Sequence, residues 1–153
     1  MSLVEASMDA SGMRFAIVAS RWNEFVTERL VEGALRAFRM HGEPAVDVVW
    51  VSGSWEIPIA ALSAAESGAS GVVCIGCILQ GATTHAQQLS NGVAAALGDL
   101  TVRTGVPMTW GVLTCATQEE AIERAGMKLG NKGEEAALAA VEAASIRAKL
   151  RAK

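Results

Sequence analysis

The residues Gly81-Ala82-Thr83-Thr84-His85 bring two kinds of chemistry to one point of the chain. They follow an apolar run from Gly71 to Gln80 and precede a segment, Gln87 to Arg103, that reads as a helix. A glycine-led turn that opens a helix at the end of a buried strand exposes backbone N–H groups and the positive end of the helix dipole. Both suit a phosphate or another anion. His85, one of 2 histidines in the chain, sits one residue past the turn. A group that moves protons near neutral pH therefore stands beside the anion site, and His85 reads as functional. His41, by contrast, precedes Gly42 at a helix end, where a cation favours the dipole, and reads as structural.

Trp22 and Trp55 each follow a predicted strand end. An indole there either fills the core or offers a flat π face to a planar heterocycle, and the equivalent placement of the pair favours a ligand for Trp22. Glu56 either supports the start of its helix electrostatically or accepts hydrogen bonds from a polyol; the sequence leaves both open. Arg124 and Lys132 flank Ala125-Gly126 and Gly130-Asn131, and pattern alone makes them solvated surface charge. Cys74 and Cys77 form a C-x-x-C pattern. On a strand, positions i and i+3 point to opposite faces, so neither a shared metal nor a disulfide is favoured. Both, with Cys115, read as small buried apolar residues.

These groups need a scaffold. Short apolar strands are predicted at 13–20, 46–51, 71–79 and 106–113. Helical spacing is predicted over 24–41, 56–67, 86–103, 118–126 and 133–151, with Pro58 placed where a missing N–H costs little. The alternation predicts an α/β fold, a parallel sheet covered by helices on both faces. In such sheets, ligands bind at the carboxyl ends of the strands. Those ends are Ser20 to Asn23, Ser52 to Glu56, Gln80 to His85 and Leu113-Thr114, where the polar and aromatic groups gather.

Composition sets the outer bounds. At 153 residues, one domain spanning 1–153 is expected, and no repeat or linker divides it. The chain is 51% hydrophobic and 19% charged, with mean hydropathy +0.30. No uninterrupted apolar run reaches the roughly 18 residues of a membrane span, so the excess apolar surface points to subunit contact. Net charge of −3 argues against nucleic-acid binding through a basic face. An odd cysteine count and no secretory pattern at Met1 to Glu5 lead to a cytoplasmic expectation.

The segments Ile17 to Asn23, Gly53 to Pro58, Gly81 to His85, Gly111 to Thr114 and Gln118 to Gly133, in this order and spacing, resemble the 6,7-dimethyl-8-ribityllumazine synthase family of riboflavin biosynthesis. The resemblance covers nearly the whole chain. It implies a flavodoxin-like three-layer α/β/α sandwich around a four-stranded parallel sheet, with residues near 2–8 adding a strand to a neighbouring subunit. It implies a homo-oligomer, a pentamer that in many members assembles into a 60-subunit icosahedral shell, with active sites between adjacent subunits. The implied substrates are 5-amino-6-(D-ribitylamino)uracil and 3,4-dihydroxy-2-butanone 4-phosphate, with no cofactor and no metal. Trp22, Ser54, Trp55 and Glu56, with the backbone of Cys77, Ile78 and Leu79, would hold the pyrimidine and its ribityl chain. Ala82, Thr83 and Arg124 would hold the phosphate, and His85 would transfer protons. Trp110, Arg124 and Lys132 would reach the site from the neighbouring subunit. The chain departs from the family pattern at Gln80, usually basic, and at Ala86 and Gln87, commonly Phe and an acid. Lower activity than in typical members is expected from these changes. A shell protein with reduced chemistry and a module that binds a phosphorylated flavin are the competing readings.

Overall fold

The computed structural model describes residues 1–152. Four strands, β1 (Arg14–Ser20), β2 (Ala45–Val51), β3 (Gly71–Leu79) and β4 (Met108–Cys115), form one sheet in the order β2-β1-β3-β4. All three pairings are parallel. The helices are α1 (Glu24–Met40), α2 (Ile57–Glu66), α3 (His85–Thr104), α4 (Gln118–Glu123) and α5 (Lys132–Arg151), with a 3-10 turn at Ser54–Glu56.

The alternation of each inner strand divides its side chains between two cores. Phe15, Ile17, Val73 and Ile75 face α1 and α5, together with Leu30, Phe38 and Val141. Ala16, Val18, Val72 and Cys74 face α2 and α3, together with Ile57, Val93 and Leu97. β3 is buried on both faces, which is why it reads as a continuous apolar run. The edge strand β2 is largely exposed, with Val48 and Val49 open to solvent.

Element boundaries differ from the sequence expectation by up to three residues, and the two elements that differ most, β4 and α4, have local causes. β4 starts at Met108 because Gly105 closes α3 in the left-handed conformation (φ 68) and Pro107 has no N–H for a ladder. It runs on to Cys115, which pairs with Leu79. α4 stops at Glu123 because Gly126 turns the chain (φ 100) and an Ala125–Asn131 bridge folds it back. Asn131 then caps α5. Its Oδ1 accepts from the amides of Gly133 (2.9 Å) and Glu134 (3.1 Å), and its Nδ2 donates to the Arg29 carbonyl (2.9 Å). Such a cap contributes about 1 kcal/mol.

His41 takes the structural part expected of it. It follows α1, and its Nδ1 meets the Met8 carbonyl at 3.1 Å. The N-terminal segment carries no strand and lies on its own chain. The Ser7 amide donates to Ser145 Oγ, the Lys149 ammonium to the Glu5 carbonyl, and the Ala10 amide to the His41 carbonyl.

Candidate active site

The winding of the sheet reverses between β1 and β3, since β2 lies outside β1 and β4 outside β3. A crevice is forced to open there, beyond the carboxyl ends of the strands. A cleft of about 960 Å³ occupies it. Trp22 and Asn23 of the β1–α1 loop form one side and Cys77, Ile78 and Leu79 of β3 another. The 3-10 turn contributes Ser54, Trp55 and Glu56, and the first turns of α3 contribute His85, Ala86 and Leu89.

Each wall has a reason to stand where it does. The Arg21 and Trp22 amides donate to the Val51 and Ser52 carbonyls, so the β1–α1 loop prolongs the sheet pairing. Trp22 lies over Gly53, where an added Cβ would come within 3.2 Å of its Cδ1. It is 72% exposed, which excludes a core role and leaves an indole face open to a ligand. Trp55 is 67% exposed and lies against Gly92 of α3. Buried Ser54 sits over Gly76 of β3, whose missing side chain makes room for its hydroxyl. Of the two uses the sequence leaves open for Glu56, the structure shows the first. Its Oε2 accepts from the Gly53 amide (2.9 Å) and the Ser52 hydroxyl (3.2 Å), while Oε1 has no partner among the described residues. One oxygen caps; the other is available in the cleft.

The Gly81 to His85 turn is fully exposed and leads into α3 as the sequence suggests. The amides of Ala82 and Thr83 meet no acceptor among the described residues, and the His85 amide makes only a long contact, 3.4 Å, to Thr83 Oγ1. Ser90 of α3 and Thr114 of β4 share a hydroxyl contact of 3.0 Å that anchors the helix over the sheet edge. Gln87 donates to Asn91 one turn along the helix (2.9 Å) rather than turning toward His85.

The remaining residues expected at the site are not brought into this cleft by the chain that carries them. Ala82 and Thr83 stand just outside it on the turn. Trp110 is half-exposed on the outer strand β4. Arg124 follows α4 and donates to the Glu120 carbonyl (3.0 Å); Lys132 opens α5 and pairs with Glu135 (2.7 Å). The two are neighbours, since the Lys132 amide donates to the Arg124 carbonyl. Asn23, Gln88 and Gly92 line the cleft without having been singled out. For Gly92 the signal was there: a glycine inside a helical pattern marks a close approach.

Cys74 and Cys77 belong to opposite cores, as the i, i+3 spacing requires, and all three cysteines are free. Burial pushes the Cys74 and Cys77 thiols from the ordinary 9.0 up to about 12. Burial also raises Cys115, against the opposing pull of the Arg124 charge. The neutral thiols thus favour the folded state fully below about pH 9, and that contribution is lost as the pH climbs toward 12. Native protein at neutral pH is expected to resist a thiol reagent for hours and to react in seconds once unfolded. Labelling of the native protein at the unfolded rate would show that the thiols are not buried as described.

An all-parallel sheet in this order, helices on both faces and a cleft at the switch point define a flavodoxin-like α/β sandwich with a candidate ligand cleft. The sequence model of the 6,7-dimethyl-8-ribityllumazine synthase family matches residues 12–148, and the chain belongs to that family. Membership makes it an enzyme, a transferase, with a role in riboflavin biosynthesis. Among the described residues no helix is long and apolar enough to cross a membrane.

Proposed function

We propose that the protein condenses 5-amino-6-(D-ribitylamino)uracil with 3,4-dihydroxy-2-butanone 4-phosphate to give 6,7-dimethyl-8-ribityllumazine, phosphate and water. The observation that carries this reading is the switch-point cleft. In a member of this family, it gathers an exposed indole, a partly engaged carboxylate and an imidazole. Trp22 stacks on the pyrimidine, and the Glu56 Oε1 receives ribityl hydroxyls. Ser54, Trp55 and the Cys77–Leu79 backbone complete that half of the site. The open amides of Ala82 and Thr83 take the phosphate, with Arg124. The amine adds to the ketone and loses water to form an imine. Phosphate is then expelled, and attack of the ribitylamino nitrogen closes the second ring with loss of water. His85 moves the protons. Holding both partners in order removes much of the entropic cost of a bimolecular condensation.

Trp110, Arg124 and Lys132 are assigned to the cleft of the neighbouring subunit, within a pentamer or a larger shell. What supports this is that they stand outside the cleft of their own chain, while Trp55, Ile59 and Val102 leave apolar surface exposed. Mixing the purified protein with both substrates and following lumazine absorbance tests the reaction; no product above the uncatalysed rate would favour the scaffold reading that Gln80, Ala86 and Gln87 suggest. His85→Ala is expected to lower kcat about tenfold, below the roughly 10²–10⁴-fold usual for loss of a general acid–base, because this condensation also proceeds slowly unaided. An unchanged kcat would remove His85 from the mechanism.

A further inference from the structure

Asn23 is where the two sides of the crevice are tied together. It occupies the N-cap position of α1 in the left-handed conformation, φ 60 and ψ 46, and its carbonyl accepts from the Val26 and Thr27 amides. Its side chain makes no capping hydrogen bond, although asparagine is among the best capping residues. Instead, Nδ2 donates to the Cys77 carbonyl of β3 at 2.7 Å, across 54 positions of sequence.

The place of that bond matters. The β1–β3 ladder ends at the Ala19–Ile75 pair, two residues short of Cys77. Beyond that point the strands separate and the crevice opens. The Asn23 amide therefore supplies one further bond where the ladder has run out. It joins the loop that carries Trp22 to the strand end formed by Cys77, Ile78 and Leu79, and all five residues line the cleft. Left-handed φ at a non-glycine residue is tolerated best by Asn and Asp. Only Asn combines that tolerance with a neutral donor of this reach.

We infer that Asn23 is a positioning residue for the planar, pyrimidine half of the site: it fixes the spacing between the Trp22 indole and the β3 backbone without itself capping its helix. This deepens the proposed function and rests on it for the identity of the ligand. Two variants separate position from folding. Asn23→Gly keeps the left-handed backbone and removes the tie; Asn23→Asp keeps backbone preference and size but sets a carboxylate against the Cys77 carbonyl. In Asn23→Gly, KM for the ribitylaminouracil is expected to rise about tenfold while KM for the butanone phosphate stays within about twofold; Asn23→Asp is expected to lose more. In ligand-free protein, amide hydrogen exchange at 77–80 is expected to quicken in both variants with the β1–β2 ladder unchanged.

Unchanged exchange at 77–80 would overturn the inference whether or not the wild type turns over. So would equal rises in both KM values. Absence of turnover in the wild type, with quickened exchange in the variants, would instead overturn the proposed function and leave the tie standing.

Discussion

Arg124→Ala is expected to raise KM for the butanone phosphate by about 100-fold, with a smaller change for the pyrimidine. A charge-assisted hydrogen bond to phosphate is worth roughly 1.5–3 kcal/mol, and each 1.4 kcal/mol is a factor of ten. The phosphate turn itself offers no replacement charge, because the position that is usually basic in the family is Gln80. Arg124 lies outside the cleft of its own chain, so the variant also reports on assembly. Trp22→Ala subunits and Arg124→Ala subunits, assayed at substrate concentrations well below their raised KM values so that each has little activity alone, are to be unfolded together and reassembled. If each site takes Trp22 from one chain and Arg124 from the next, random mixing restores about a quarter of the sites to full composition. No recovery on mixing would place Arg124 in the cleft of its own chain. A rise confined to KM for the pyrimidine would contradict its assignment to phosphate.

The fold was legible because the two signals that specify it are local. The period-2 division of Phe15, Ile17, Val73 and Ile75 from Ala16, Val18, Val72 and Cys74 lies in the sequence, and the alternation with helices fixes parallel pairing. That three of the candidate site residues would meet was legible for a related reason. Parallel strands put all their carboxyl ends on one edge, so Trp22, Glu56 and His85 share a cleft although they are far apart in sequence. Asn23 was not legible as a tie. The sequence places it only at a strand end, and the left-handed backbone sends its amide to Cys77. Arg124 and Lys132 show the other limit. Nothing in their spacing distinguishes a charge on the surface from one presented to a neighbour, and their part in the site rests on the family pattern.

Gly133→Ala is expected to cost about 3 kcal/mol of stability, the largest effect of alanine at any glycine of this chain. Gly133 lies in the first turn of α5, where that helix crosses α1. A Cβ there would fall on the Leu30 carbonyl of α1, with the Leu30 carbonyl carbon at 2.6 Å and its Cα at 2.9 Å. The obstacle is backbone within a helix, so no rotamer change relieves it and the two helices must part. Parting them also pulls on the Asn131 cap, whose Nδ2 holds the Arg29 carbonyl one residue away from Leu30. At about 2–4 °C per kcal/mol for a chain of this size, Tm should fall by about 6–12 °C. Gly98→Ala is the control. That helical glycine has nothing within 4 Å of an added Cβ, so alanine there should be neutral or stabilising by up to ~1 kcal/mol. Both are to be measured at one protein concentration, since association would otherwise shift the midpoint. Because Lys132 precedes Gly133 and bonds through its amide to the Arg124 carbonyl, a helix displaced at Gly133 should also weaken phosphate binding in whatever Gly133→Ala protein folds. Equal midpoints for the two glycine variants would mean that α1 and α5 do not meet as closely as described.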